Sequence, residues 1–326
     1  MVVDSARREL TWRRAEAALA RAARRGEPVL VGPFLGEVGY ELLYWIPLVR
    51  NLLRRHAISR ERVTVLTRGG AGAWYVDVAE RSLEILDLVD PERFPGLLRD
   101  RRARVRDAKQ LTVDPVDLEL AAAAQQQIGG AAAHLLHPLL MYSRMRFIWE
   151  GFVPPERAPL HADYRPIDPP HGTLPGGAHL PSRYVAIKAY FSDSLPESAE
   201  TRNRLSWLVA EIAESVDVVV LANPGRLDDH DEWDTSGPRV HSAASWLEPR
   251  SNLAVQTEIV AGAEALVCTY GGFSYLGPMV GVPTLALHAE PAFNPLHLAV
   301  LRTGFPHARL DLVHVDDATV ETLELR

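Results

Sequence analysis

The pattern of apolar and polar positions is clearest between residues 252 and 288. It predicts a helix, a strand over 265–268, a second helix and a strand over 284–287. Both strand segments are apolar enough to be buried on both faces, which is typical of a parallel sheet covered by helices.

The same alternation extends over much of the chain. The segment between 85 and 113 is an exception, because prolines and charges interrupt its short apolar pieces. Elsewhere the periodicity predicts helices over 5–25, 40–50, 116–127, 131–150 and 196–215, and strands over 29–31, 62–67, 184–188, 216–221 and 310–315.

A proline-rich segment, 154–181, divides the chain nearly in half and shows no apolar period. With 326 residues, the chain also exceeds the usual size of a single core. We therefore predict an N-terminal domain over 1–153, a linker over 154–181 and a C-terminal domain over 182–326. The predicted fold class is α/β, with two Rossmann-like domains built on parallel sheets that carry helices on both faces.

A pair of glycines, Gly271 and Gly272, follows the predicted strand 265–268. Glycines at the carboxyl end of a buried strand let a ligand approach the backbone closely. A helix that begins near Ser274 would direct its free N–H groups at a phosphate or another anion. The alternative interpretation is a tight turn between strand and helix that binds nothing.

A second glycine loop, 32–39, follows the first predicted strand and carries two candidate bases. Glu37 lies in the loop and Glu41 in the first turn of the next helix. A carboxylate in a partly desolvated crevice can act as a general base, because burial raises its pKa towards neutrality. For Glu41, the alternative is that the helix dipole alone favours an acidic residue there.

Other candidate side chains also follow predicted strands of the C-terminal half. Lys188 either neutralises a phosphate or is an ordinary lysine at a strand end. His288 directly follows the predicted strand 284–287 and is a further candidate base. The acidic cluster 228–232, in the loop 223–232, can hold a divalent cation, meet ribose hydroxyls or a base edge, or simply be solvated.

Composition narrows the class of protein. The net charge is −7, from 35 basic and 42 acidic residues, so we expect no nucleic-acid partner. One basic run, 99–106, is interpreted as a solvated helix face or loop, with a site for a polyanion as the alternative. The single cysteine, Cys268, lies in an apolar strand, which favours a reducing compartment. No apolar run is long enough to span a membrane, so we expect a soluble cytoplasmic protein.

The segment Thr269–Thr284, TYGGFSYLGPMVGVPT, and the preceding Asn252–Glu258 resemble the donor half of GT-B glycosyltransferases, in particular heptosyltransferase-like and fucosyltransferase-like members. Gly36-Glu-Val-Gly-Tyr-Glu41 is similar in position to the glycine loop of their acceptor domain. The resemblance implies two facing Rossmann-like domains that hold a nucleotide-sugar diphosphate between them. The turn lacks the acidic residue of heptosyltransferases, because Tyr270 and Phe273 flank the glycines, and no fucosyltransferase arginine motif is present.

The resemblance also implies roles for residues of this chain. Glu37 would accept the proton of an acceptor hydroxyl, with Glu41 or His288 in reserve, in a direct displacement that needs no metal ion or other cofactor. The acceptor would be a small molecule, a glycan or a lipid-linked molecule, bound near Gly36, Gly39 and Tyr40. Donor contacts would come from Lys188, Asn223, Asp229, His230, Thr269, Gly271, Gly272, Phe273 and Ser274.

Two other functions are compatible with the same sequence. A nucleotide-sugar epimerase or hydrolase would turn over the donor without any acceptor. A non-catalytic nucleotide- or sugar-binding protein of the same fold would bind the donor, and loss of Glu37 would change no rate.

Overall fold

The computed structural model describes residues 2–105, 109–130, 132–222 and 231–323. The chain forms two compact units. The first comprises the chain up to Arg165 together with Leu296–Gly304, and the second comprises Pro166–Pro295 together with the chain from Phe305 onward. Each unit is an α/β structure built on a parallel sheet, as the sequence predicts.

The helices of the described chain are mostly short. They are α1 (Val2–Arg25), α2 (Val38–Tyr40), α3 (Ile46–Arg55), α4 (Ile85–Leu88), α5 (Phe94–Val105), α6 (Pro115–Gln127), α7 (Leu139–Arg144), α8 (Arg146–Trp149), α9 (Ala199–Ser215), α10 (Asn252–Ala261), α11 (Leu276–Met279) and α12 (Pro295–Gly304). A π-helical stretch, Glu41–Trp45, joins α2 to α3.

The first unit contains a four-stranded sheet with the strand order β3-β2-β1-β4. Its strands are β1 (Val29–Val31), β2 (Val63–Thr67), β3 (Arg81–Glu84) and β4 (His134–Leu136), and all neighbouring pairs are parallel. The chain runs outward from β1 through β2 and β3 and then returns to the other side of β1. The order of strands therefore reverses at β1, which makes the crevice after β1 and β4 the expected ligand position.

The second unit contains a six-stranded parallel sheet with the order β12-β11-β10-β5-β7-β9. Its strands are β5 (Tyr184–Lys188), β7 (Asp217–Val220), β9 (Val240–Ser242), β10 (Ala265–Thr269), β11 (Thr284–His288) and β12 (Leu310–His314). A separate antiparallel pair is formed by β6 (Tyr190–Phe191) and β8 (Asp231–Glu232). In the large sheet the strand order reverses between β5 and β10, so the loops after these two strands border the expected ligand crevice.

Apolar faces of helices hold the sheets in place. Leu205, Leu208 and Ile212 of α9 are buried in one cluster with residues of β5 and β7. Each such side chain stabilises the fold by roughly 2 kcal/mol through removal from water. The helix begins sharply because the Ser198 hydroxyl accepts a hydrogen bond from the Thr201 N–H.

One predicted helix, 131–150, is wrong over its first third. His134–Leu136 forms the strand β4, and helical structure begins only at Leu139. This His-Leu-Leu segment is too short to show a strand period. It becomes a strand because it pairs with Val29–Val31, a partner more than a hundred residues away.

Helix α12 has no counterpart among the predicted elements. Its residues Leu296–Gly304 belong to the first unit, although both flanking segments belong to the second. The compact units thus differ from the predicted spans in two respects. Residues of α12 belong to the first unit, although they lie within the predicted C-terminal span, and the boundary after Arg165 falls inside the predicted linker.

The basic run is also not solvated throughout. Arg101 is only 2% exposed, and its Nε lies 3.6 Å from a carboxylate oxygen of the fully buried Asp117. The sequence does not reveal this burial, because the carboxylate next to Arg101 lies on a different helix, α6.

Candidate functional site

The two glycine segments singled out in the sequence both lie where the strand order of a sheet reverses. Gly271 and Gly272 follow β10, and Lys188 ends the neighbouring strand β5. The loop 32–37 follows β1. Each parallel sheet therefore places one of the predicted glycine loops at its expected ligand crevice.

Tyr190 is held rigidly at the crevice of the second unit. The Thr269 hydroxyl donates a hydrogen bond to the Tyr190 carbonyl at 2.7 Å and accepts one from the Tyr190 N–H at 3.0 Å. Thr269 is completely buried, so this hydroxyl positions Tyr190 from within the fold.

The Tyr190 side chain explains why residue 271 is a glycine. Gly271 has an extended backbone, with φ at 173°, which any residue can adopt. A Cβ at this position would, however, collide with the Tyr190 hydroxyl. Glycine is thus required here by the close approach of a phenol.

The residues after Gly271 form a short helical segment whose first turn is not α-helical. A 3₁₀ turn covers Gly272–Tyr275, and α11 then extends over only four residues. The Ser274 hydroxyl donates to the Gly271 carbonyl at 2.7 Å, and Ser274 is fully buried. Helical structure therefore begins close to Ser274, as expected, but Val280 and Gly281 end the α-helix after a single turn.

Lys188 is buried at the end of β5, with 5% of its surface exposed. Its ammonium group donates to the Leu221 carbonyl at 2.8 Å and lies 5.9 Å from the centre of the Phe273 ring. A buried positive charge next to the glycine turn is therefore in a position to attract an anion.

His288 ends β11 and contacts two rings at their edges, Phe293 and His314, each with centroids 5.5 Å away. Its buried Nδ1 has no hydrogen-bond partner among the described residues. Burial, followed by the charge of His314, lowers the pKa of His288, so the imidazole is neutral at pH 7. A neutral imidazole nitrogen can accept a proton or a hydrogen bond.

Three of the candidate donor-binding residues, Asn223, Asp229 and His230, lie outside the described residues.

In the first unit, the loop after β1 is fixed by buried hydrogen bonds. The Gln110 side chain is fully buried, accepts from the Leu35 N–H at 2.9 Å and donates to the Pro33 carbonyl at 2.9 Å. The Arg68 guanidinium donates to the Gly36 carbonyl at 3.1 Å. Gln110 and Arg68 are absent from the sequence-based site, since nothing in their local pattern connects them with residues 33–36.

Glu37 and Glu41 lie one helical turn apart in very different environments. Glu37 is exposed and precedes α2, with its carbonyl accepting from the Tyr40 and Glu41 N–H groups. Glu41 is 2% exposed and accepts a hydrogen bond from the Tyr75 hydroxyl at 2.7 Å. Glu41 also begins the π-helical stretch, a local irregularity that is frequent at functional sites.

Burial raises the pKa of Glu41 to about 7, against the lowering effects of the Tyr75 hydrogen bond and of the Arg68 charge. Burial also raises the pKa of Tyr75 well above its ordinary value, so this phenol remains a donor to Glu41. Near neutral pH the Glu41 carboxyl is therefore divided between its protonated and ionised forms.

Tyr40 is surrounded by rings within the same unit. Its ring lies edge-on to Trp149 at 5.2 Å and to His297 at 5.5 Å, and the Lys109 ammonium is 5.5 Å from its centroid. His297, from α12, is also hydrogen-bonded through Nδ1 to the Tyr44 hydroxyl at 2.6 Å. Burial and the Lys109 charge lower the pKa of His297 to about 4, so the ring is neutral at pH 7. Gly39, next to Tyr40 in α2, is buried.

Within the part of the chain that the structure describes, no three His, Cys, Asp or Glu side chains are grouped to bind a metal ion. None of the described helices has the length and apolarity needed to cross a membrane.

No family model matches the chain, and no curated protein matches its sequence. Solved heptosyltransferases are similar to it. ADP-heptose lipopolysaccharide heptosyltransferase II of Escherichia coli has a TM-score of 0.48 and 12% identity, over 91% of this chain and 96% of that one.

Two further structures are similar to the chain. A family 9 glycosyl transferase of Veillonella parvula has a TM-score of 0.48 and 13% identity, over 89% and 86% of the two chains. The Escherichia coli heptosyltransferase WaaC, solved with ADP, has a TM-score of 0.43 and 14% identity, over 91% and 98%. These proteins are of the class that the segment 269–284 resembles. At such TM-scores and identities the similarity assigns neither an activity nor a substrate to this chain.

Proposed function

We propose that this protein is a glycosyltransferase that moves a sugar from a nucleotide-diphosphate donor to an acceptor hydroxyl without a metal ion. One observation carries the proposal: the glycine loops after β1 and β10 both lie at the reversal points of parallel sheets. The resemblance of residues 269–284 to the donor half of GT-B glycosyltransferases supports it.

The donor belongs to the second unit in this proposal. The glycine turn at Gly271 and Gly272 admits the diphosphate close to the backbone, and the buried Lys188 ammonium supplies positive charge. This charge stabilises the negative charge that develops on the leaving nucleoside diphosphate. A fixed lysine thus serves the role for which other transferases use a divalent ion, and the reaction needs no metal.

The acceptor belongs to the loop after β1 in the first unit, with Gly36, Gly39 and Tyr40. We assign proton acceptance to Glu37, because a substrate hydroxyl can reach an exposed carboxylate. Glu41 is a reserve base, because it is only 2% exposed and its carboxylate accepts a hydrogen bond from the Tyr75 hydroxyl.

The reaction is a single displacement at the anomeric carbon. The acceptor oxygen forms a bond to that carbon as its proton passes to Glu37. The bond from the carbon to the diphosphate oxygen breaks, and the leaving nucleoside diphosphate takes the electron pair. His288 is another reserve base, since its neutral ring can also accept a proton.

The test is release of nucleoside diphosphate from UDP-, GDP-, ADP- and dTDP-sugars, with and without a panel of glycan, small-molecule and lipid-linked acceptors, in EDTA and in Mg²⁺. We expect release that depends on an acceptor and persists in EDTA. Glu37→Gln should lower this rate about a hundredfold or more, the usual contribution of a general base, with little change in the KM for the donor. Glu80 is also exposed, so Glu80→Gln is the matched control and should leave the rate unchanged.

The other outcomes separate the alternative functions. Release that is equally fast without an acceptor would favour a hydrolase or an epimerase. Binding of a nucleotide sugar without turnover, unaffected by Glu37→Gln, would favour a binding protein.

A further inference from the structure

We propose that Gln110 is a positioning residue for the transfer reaction, whose side chain fixes the loop 33–36 and thereby holds the proposed base, Glu37, in place for the acceptor. This inference rests on the proposed function. It adds to that function a residue of the segment between α5 and α6 that the sequence pattern does not single out.

The loop after β1 begins with hydrogen bonds to the two neighbouring strands. The Gly32 N–H donates to the carbonyl of Leu136, the last residue of β4, at 2.9 Å. The Phe34 N–H donates to the carbonyl of Leu66, in β2, at 3.3 Å. Both neighbours of β1 thus extend their pairing into the start of the loop.

Gln110 bonds the residues that alternate with these two. Its side-chain oxygen accepts from the Leu35 N–H, and its side-chain nitrogen donates to the Pro33 carbonyl, both at 2.9 Å. Pro33 and Leu35 are buried, and a buried backbone group that is left unsatisfied costs about 1–3 kcal/mol. The side chain of Gln110 therefore determines the path of the loop.

Gln110 is itself held by a buried carboxylate. Its side-chain nitrogen also donates to Asp117 of α6 at 3.2 Å, and Asp117 is fully buried. Asp117 accepts a second hydrogen bond, from the Asp114 N–H at 2.8 Å, and lies 3.1 Å from Nε2 of His137, which directly follows β4. Both amide donors and the amide oxygen of Gln110 are thus bonded, so the side chain is fixed before a ligand arrives.

Glu37 directly follows the fixed loop. It is exposed and lies two residues beyond Leu35, so a displacement of the loop also displaces its carboxylate. A misplacement of about 1 Å can lower the rate of an enzyme about a hundredfold. Gln110 therefore acts on the reaction through Glu37 and does not itself touch a substrate.

A second glutamine of the same unit provides the matched control. Gln125 lies on α6, is half-buried and donates from its side-chain nitrogen to the Ala133 carbonyl at 3.3 Å. Ala133 directly precedes β4, so this bond lies at the amino end of the strand, at the edge of the sheet opposite the crevice. Gln125 thus has a structural role without a contact to the loop.

The experiment measures acceptor-dependent release of nucleoside diphosphate by the full chain, with whichever of the UDP-, GDP-, ADP- and dTDP-sugars the unmodified protein consumes. Gln110→Met keeps the length of the side chain and removes its hydrogen bonds, and should lower kcat about tenfold or more with the donor KM within about twofold. Gln110→Glu keeps the shape, replaces the donor by an acceptor and should show the same loss. Gln125→Met should leave kcat unchanged.

Coupling to Glu37 separates positioning from a general structural effect. In a Glu37→Gln background, Gln110→Met should lower the remaining rate by less than about twofold, because the group that it positions no longer takes the proton. Hydrogen exchange tests the bond itself. The Leu35 amide of the unmodified protein should exchange as slowly as the amides of β1, and at least several times faster in Gln110→Met.

The outcomes distinguish this inference from the function on which it rests. If the unmodified protein transfers no sugar, the proposed function fails and this role fails with it. If transfer proceeds and Gln110→Met keeps the full rate, only the role of Gln110 is overturned. An equal loss in the presence and absence of Glu37, or exchange of the Leu35 amide as fast as that of an exposed amide, would likewise overturn the role. Far-ultraviolet circular dichroism of each variant confirms that it is folded.

Discussion

Two carboxylates of the first unit show how burial separates residues that look equivalent in sequence. Glu37 and Glu41 both follow β1 and are one helical turn apart, yet only Glu41 is enclosed, with Tyr75 as its hydrogen-bond donor. The sequence places both at the right loop. It cannot distinguish them, because Tyr75, which is hydrogen-bonded to Glu41, comes from the segment after another strand, β2.

The raised pKa of Glu41 predicts a stability that depends on pH. In the folded protein its pKa is about 7, against an ordinary value of 4.5, so the native state holds the proton more tightly. The contribution is fully present below about pH 4.5 and is lost as the pH rises through 7. From this shift we expect the free energy of unfolding to fall by about 3 kcal/mol over that interval.

Urea unfolding at a series of pH values measures this effect. The difference between the unmodified protein and Glu41→Gln should follow the predicted curve, since the amide does not titrate. The exposed Glu37→Gln serves as control and should run parallel to the unmodified protein. A Glu41→Gln curve that is also parallel would show that Glu41 does not titrate near neutrality.

The contact between Gly271 and Tyr190 predicts a coupled pair of substitutions. Gly271→Ala should destabilise the protein by about 1–3 kcal/mol, because the new methyl group collides with the phenol oxygen. In a Tyr190→Phe background the nearest ring atom stands 3.3 Å away, and the cost should fall below about 1 kcal/mol. Chemical denaturation of the four proteins gives the coupling free energy, and additive effects would contradict the geometry.

Among the elements, the predicted linker is attached to a helix of the second unit by one side chain. The Glu258 carboxylate, on α10, accepts from the N–H groups of Gly172, Thr173 and Leu174 and from the Thr173 hydroxyl. Although burial alone raises the pKa of Glu258, these hydrogen bonds outweigh it and lower the pKa. The stabilisation is present above the ordinary pKa and is lost as the pH falls through the lowered value.

Hydrogen exchange tests this attachment. In Glu258→Gln the amides of residues 172–174 should exchange at least several times faster, because an amide oxygen is a weaker acceptor than a carboxylate and reaches fewer donors. Glu264→Gln removes the exposed ion pair with Arg183 and should leave these amides unchanged. Unchanged exchange in Glu258→Gln would show that the linker is held by other contacts.

Most elements with a strong local period are predictable from the sequence, and those that depend on distant partners are not. Strand β5 is predicted at its observed bounds, Tyr184–Lys188, because five consecutive buried positions leave little ambiguity. The sequence pattern does not predict strand β4, because the strand lies in an apolar segment with a helical period and depends on pairing with β1. Helix α12 is absent from the prediction, and its anchor, the His297 bond to Tyr44, joins residues 253 positions apart.

For the molecule as a whole, the candidate site shows the same contrast between features that a local pattern predicts and features that depend on distant residues. Loop positions were predictable, since parallel strands present their carboxyl ends at one edge, and both glycine loops lie at a reversal of strand order. The side chains that contact these loops were not predictable, because Tyr190 and Gln110 are distant in sequence from the loops that they contact. Ser274 is a predicted donor contact, but in the structure its hydroxyl donates a hydrogen bond to the Gly271 carbonyl within the turn.

The measurement that tests the central claim most directly is a thermal-shift screen against UDP, GDP, ADP, dTDP and CMP and their sugar conjugates, with and without Mg²⁺. A ligand at about 100 times its dissociation constant adds roughly 2.7 kcal/mol of stability. Gly272→Asp introduces a carboxylate at the proposed donor turn, whereas Gly176→Asp introduces it in open space within the predicted linker. We predict stabilisation by one family of nucleoside diphosphates, without Mg²⁺, that is lost in Gly272→Asp and kept in Gly176→Asp. No stabilisation by any of these nucleotides, or equal stabilisation of both variants, would contradict a nucleotide-sugar site at this turn.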